Sequence, residues 1–190
     1  MWGGGIYMMI KEAKVYDIIN EKACSNSIMQ GLTGWCGFPF TLFGDVAVFW
    51  THYKPMLNDI RKVYGRAPLS IRKMLFLLNG CEEELLTDLV VDKVVGNLPV
   101  IGLPANVIAA KALTWRLGIL FGMLASQGSD VSIADVEQSI GLIRSALPNK
   151  KSFFVRPSVT LVAQLIYAAE NGTYDLPDFN LAVQATTALG

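Results

Sequence analysis

Apolar and polar positions along this chain recur with helical periods and nowhere sustain the strict alternation of a strand. A first helix is predicted over 8–31, where Ile10, Val15, Ile18, Ile19 and Ala23 keep approximate helical spacing. Lys11, Glu12, Lys14 and Glu21 fall between them, and the polar run 24–27 is expected to end or bend the helix. Gly31, Gly34, Gly37 and Pro39 then break the pattern. A second helix is predicted from Thr41, a suitable cap, to Tyr64, with Gly65 closing it. Its first half is apolar (Leu42, Phe43, Val46, Val48, Phe49, Trp50), and its second half is expected to be basic and solvated. Short helices over 70–78 and 82–95 follow. The latter opens on Glu82, Glu83 and Glu84, which suit the positive end of a helix dipole.

The stretch that organises the rest begins where Pro99, Gly102 and Pro104 interrupt the chain. Proline fits a first helical turn, so a long helix is predicted from about 104 to just before Gly128. Along it Ala110, Thr114, Gly118, Gly122 and Ser126 recur every fourth residue. A four-residue step turns a helix by ~400°, so these small residues form one slowly drifting stripe. Gly118 and Gly122 make a G-x-x-x-G, a common device for close approach of membrane helices. The stripe is therefore the predicted helix-packing and oligomerisation face. A helix over 132–147, opening on Ser132-Ile-Ala-Asp135, and another over 157–170, stopped by Asn171-Gly172, complete the pattern, with a short one after Pro177. The expected fold is all-α, a helical bundle in one domain over 1–190. It comprises an N-terminal arm and helix (1–33), an apolar hairpin core (34–127) suited to membrane insertion or re-entry, and C-terminal helices (128–190).

Composition sharpens this picture. Hydrophobic residues make up 52% of the chain and charged ones 17%, against ~25% charged in ordinary soluble domains. The net charge is zero, which gives no reason to expect a nucleic-acid partner. Cys24, Cys36 and Cys81 form no C-x-x-C and are expected to be reduced, small apolar residues. The apolar first ten residues lack a basic start and a cleavage site, so no signal peptide is predicted.

Spanning a bilayer takes ~20 apolar residues. The stretch 35–53 contains Pro39 and Asp45, and its helical part of about 13 residues reaches only ~20 Å. The 104–126 helix carries Lys111 and Arg116, and a charge at mid-bilayer costs roughly 2.5–3.5 kcal/mol. Neither is a clean span. Both suit a re-entrant hairpin or the buried helices of a soluble oligomer. Between them Lys54, Arg61, Lys62, Arg66, Arg72 and Lys73 outnumber Asp59, a balance that favours anionic lipid heads on the cytoplasmic side.

Chemistry is sparse. Asp45, His52 and Asp59 are seven apart and share a helix face, a row able to pass protons. Ligands in such a row do not converge, so His52 is expected to be structural, with no metal, cofactor or catalytic residue. No phosphate-cradling glycine motif occurs. Lys111 lies within the small stripe and needs a partner if buried, and Asp45 is the predicted one. Asp45, His52, Lys111 and Arg116 are thus the candidate buried charges.

Four segments add a resemblance. Gly37-Phe-Pro-Phe40 with Asp45, Lys62-Val-Tyr-Gly65, Leu98-Pro-Val-Ile-Gly102 and Ala112-Leu-Thr-Trp-Arg-Leu-Gly118 follow an order and spacing that resemble the YcjF-like domain, over residues 34–126. That domain is often attached to Era-like GTPases in bacteria. The resemblance implies a helical, two-hairpin, membrane-associated module working beside a GTPase, here a partner in trans because the chain carries no GTPase motif. Lys111 and Arg116 depart from the cleaner apolar helix expected there. The expectation is a non-enzymatic helical protein at the cytoplasmic face of a membrane, self-assembling as an anchor, scaffold or pore-like module. The alternative is a cytoplasmic, soluble oligomeric adaptor whose apolar helices are buried between subunits.

Overall fold

A computed structural model describes residues 3–33, 46–70, 72–73, 102–128, 132–147, 156–172 and 174. The described residues form α1 (Gly3–Thr33), α2 (Val46–Val63), α3 (Gly102–Gln127), α4 (Ile133–Ala146) and α5 (Val159–Glu170), and include no strand. The predicted helix over 82–95, most of that over 70–78 and the tail after Pro177 lie outside the described residues, as do Cys36 and Cys81.

In α1, Glu12, Val15, Tyr16, Ile19 and Ala23 are buried. They recur at three- and four-residue steps, which makes one stripe. Of the two outcomes expected at 24–27, an end or a bend, the end does not occur: α1 runs on to Thr33. Cysteine, serine and asparagine cost at most ~0.7 kcal/mol each inside a helix, too little to stop one that is anchored upstream. Cys24 is exposed and carries a free thiol. Tyr16 fastens α1 to the start of α5. Its hydroxyl donates to the Pro157 carbonyl at 3.1 Å and accepts from Arg156 Nε at 2.6 Å, and its ring lies 5.1 Å from that of Trp115.

The second half of α2 is not solvated all round. Tyr53, Met56, Leu57 and Ile60 keep the spacing of a core-facing stripe and are buried. Arg61 is buried too, donating from Nε to the Ala67 carbonyl at 2.6 Å, and Arg66 Nε reaches the Ala125 carbonyl at 3.4 Å. Of the six cations in the basic run, Arg61 therefore braces the turn after α2 and Arg66 ties that turn to α3. Pro55 sits within α2 on its exposed side, where its ring removes one backbone donor without entering the core. Gly65 ends the helix at φ +67°, a conformation that glycine adopts without strain.

The centre of the molecule is α3, which touches each of the other four helices and α1 most extensively. Every residue from 113 to 126 is buried. A helix covered on all sides is apolar all round, and this accounts for a composition close to that of a membrane helix. Among the described residues, no helix is long and apolar enough to cross a membrane.

Local signals set the last two helices. Ser132 caps α4 reciprocally: its Oγ accepts from the Asp135 N–H at 3.2 Å, and the Asp135 carboxylate accepts from the Ser132 N–H at 2.7 Å. Ser158 caps α5 by accepting from the Leu161 N–H at 3.1 Å, and Gly172 at φ +64° lies just past its end.

Candidate functional site

The predicted small-residue stripe is occupied from within the chain. A Cβ on Gly118 would lie 2.5 Å from Ile19 Cγ1, and one on Gly122 would lie 3.0 Å from Ile166 Cδ1 and 3.2 Å from Val15 Cγ1. The close approach read from the sequence is therefore present, and at Gly118 and Gly122 the neighbours are α1 and α5 of the same chain. Ala110 has no described side chain. Buried Thr114 shares a 3.3 Å hydrogen bond with the Tyr53 hydroxyl, tying α2 to α3. Ser126 Oγ donates back to the Met123 carbonyl at 2.7 Å.

Of the candidate charges, His52, Lys111 and Arg116 lie among the described residues. Asp45 lies outside the described residues, so its proposed pairing with Lys111 does too, and Lys111 is half-buried. Arg116, only 5% exposed, donates to the Leu147 carbonyl at 3.0 Å. Leu147 is the residue that ends α4, so the guanidinium meets the negative end of that helix. A charge out of place in a membrane helix thus has a use in a core helix.

His52 is half-buried and packs edge-on against Tyr53 with ring centroids 4.9 Å apart. Burial, with the Lys22 ammonium adding to it, lowers its pKa to about 4, so the ring is neutral at pH 7. Asp59, two turns further along α2, is exposed and belongs to a different environment. His52 and Asp59 therefore differ in environment, the Asp45 end of the row lies outside the described residues, and no group of three metal-ligating side chains occurs among the described residues.

Two features escaped the sequence. One is a buried carboxyl, Glu12, 3% exposed between α1 and the neighbouring helix ends. Burial raises its pKa, and Glu170 adds to the rise. Tyr64 lies near enough for the two groups to shift one another, yet neither Glu12 Oε2 nor the Tyr64 hydroxyl has an aligned hydrogen-bond partner.

The other feature is a groove of about 620 Å³ between α1 and α2. Its charged lining is Lys11, Lys14 and Lys62 with Asp59, all exposed. Its apolar lining is Ile10, Ile18 and Val63. Ile10 is 46% exposed, whereas Ile18 and Val63 pack on the core from its edge. The Lys11 ammonium lies 5.7 Å from the Tyr64 ring centroid, within cation–π reach. A sequence signal for this groove exists: Ile10, Lys14 and Ile18 recur every fourth residue, displaced around α1 from the Val15–Ile19–Ala23 stripe. The partners from α2 are nearly fifty residues away, and no local pattern joins them.

Comparison with protein-family models, with curated proteins and with solved structures gives no match.

Proposed function

We propose that this chain is a non-enzymatic helical module that rests on the anionic surface of a membrane and self-assembles there as an anchor or scaffold. One observation carries the reading: Lys11, Lys14 and Lys62 converge from two helices around the exposed Ile10. Attachment to an anionic interface needs both a cationic contribution, about 1 kcal/mol per lysine near the surface, and some apolar area to bury. The α1–α2 face offers both. Surface attachment is favoured over an inserted hairpin because α3 is already enclosed by helices of its own chain. Self-assembly then falls to other exposed apolar positions, such as Ile133, Val159 and Tyr167. The same positions support the second reading, a soluble oligomeric adaptor that buries them between copies. A GTPase acting in trans is part of the proposal through the resemblance alone.

The test is co-sedimentation with vesicles of phosphatidylcholine, with and without phosphatidylglycerol, at two salt concentrations. Capture is expected only with the anionic lipid and is expected to weaken with salt, because the Debye length falls from ~10 Å at 0.1 M to ~3 Å at 1 M. Equal recovery in the supernatant under all conditions overturns the membrane reading. Sedimentation velocity without lipid then reports the soluble oligomer.

A further inference from the structure

We infer that the α1–α2 groove is a binding site for the head of a single anionic phospholipid, not merely a patch of surface charge. The inference rests on the membrane reading above and goes further by naming the ligand and its seat. Charge complementarity identifies the occupant. Lys11, Lys14 and Lys62 surround a space in which they are opposed by one carboxylate, Asp59, so an anionic group is favoured there. The groove is also larger than an inorganic anion requires: at about 620 Å³ it lies within the ~300–1,000 Å³ range of small-molecule sites. Its apolar lining of Ile10, Ile18 and Val63 suits the first methylenes of acyl chains and has no use for free phosphate. Asp59 supplies an acceptor for a headgroup hydroxyl beyond the phosphate. Phosphate, hydroxyl and short hydrocarbon together describe a phospholipid with a glycerol-type head.

The lining side chains need no remodelling to receive such a ligand. The four charged ones are exposed, and the two helices behind them are fastened to α3 by the buried stripes of Val15, Ile19, Leu57 and Ile60. Lysine is adequate here because a phosphodiester needs point charges on flexible stems rather than a planar fork.

The experiment titrates the full chain with dihexanoyl phosphatidylglycerol below its critical micelle concentration, followed by calorimetry, alongside the vesicle assay. Saturable binding is expected. Lys14→Ala and Lys62→Ala should each weaken it by about fivefold, and Ile10→Ser should also weaken it. Lys54→Ala, an exposed α2 lysine outside the groove lining, should leave it unchanged and serves as the control for charge loss. The inference is overturned if the short lipid does not bind, if the groove variants bind it like the parent, or if inorganic phosphate binds as tightly as the lipid. The two readings fail separately. Vesicle capture without short-lipid binding leaves surface attachment standing and removes the site. Short-lipid binding without vesicle capture leaves the site and removes the attachment. Circular dichroism confirms that each variant is folded, and Lys14→Gln repeats the test if Lys14→Ala is not.

Discussion

Ile19 of α1 occupies the space that a side chain on Gly118 of α3 would need. Three of its carbons, Cγ1, Cγ2 and Cδ1, lie 2.5, 2.8 and 2.9 Å from where a Cβ would stand. Ile19 is fully buried and branched at Cβ, so it has few rotamers in a helix and nowhere to retreat. Gly118→Ala should therefore destabilise the fold by roughly 1–3 kcal/mol, the usual range for overpacking. Gly122→Ala should be close to neutral. Its nearest neighbour, Ile166 Cδ1 at 3.0 Å, is the free end of a side chain, and replacing a helical glycine by alanine returns about 1 kcal/mol. Urea unfolding of both variants checks this, and coincident midpoints would show that α1 and α3 are not in this contact.

Leu120 gives a second measure of the same core. It is 1% exposed although it lies two residues from each glycine, because α3 has no solvent face over 113–126. Leu120→Ala should cost about 2–5 kcal/mol, more than either glycine change. A loss below 1 kcal/mol would mean that this side of α3 is open.

Glu12 makes a pH-dependent prediction. Its folded pKa lies above 4.5, chiefly through burial. It therefore favours folding most below the unfolded value, and that contribution is lost as pH rises through the folded value. Glu12→Gln removes the charge and keeps the shape. The variant should match the parent near pH 4 and be the more stable one at pH 7, as read from thermal midpoints across that range. A variant less stable than the parent at pH 7 would mean that the carboxylate is paired.

His52 works in the opposite direction. Burial first, and Lys22 second, depress its pKa from 6.5 to about 4. The neutral ring contributes fully above about 6.5, and the contribution is lost as pH falls towards 4, because the unfolded chain takes up the proton first. His52→Gln should flatten the fall in stability between those values. Glu12 titrates across part of the same window with the opposite sign, so the informative quantity is the difference between variant and parent at each pH. An unchanged difference from pH 7 to pH 4 rules out a buried neutral imidazole.

Ser132 tests the helix start. Its hydroxyl and the Asp135 carboxylate satisfy one another's backbone N–H groups. Ser132→Ala should cost about 1 kcal/mol, the usual worth of such a cap. Ser132→Gly should cost only a few tenths, and equal losses would place the effect elsewhere.

Much of this fold could be read locally. The Ser132–Asp135 start, the Gly65 stop and the Asn171-Gly172 stop depend on a few adjacent residues, and the structure places each where the sequence does. The close-packing role of Gly118 and Gly122 was also legible, since a missing side chain is a property of the residue itself. What fills the gap was not. Ile19 is about a hundred residues away, and the same stripe would suit a second copy equally well. Arg116 was legible as an anomaly in an apolar helix, but its use depends on where α4 ends. The basic half of α2 reads as solvated because its charges are interleaved with Tyr53, Met56, Leu57 and Ile60, which the fold buries. The α1–α2 groove is the least legible feature, since Lys62 joins Lys11 and Lys14 only when the two helices lie side by side.

Because α3 is enclosed by four neighbours, it can leave the interior only after they separate. Its backbone amides over 113–126 should be among the slowest in the molecule to exchange with deuterium, opening with global unfolding instead of local fraying. Contact made through α1 and α2 leaves that interior undisturbed. If the chain attaches to an anionic surface as proposed, raised salt should release it with its exchange pattern intact, ready to bind again without refolding.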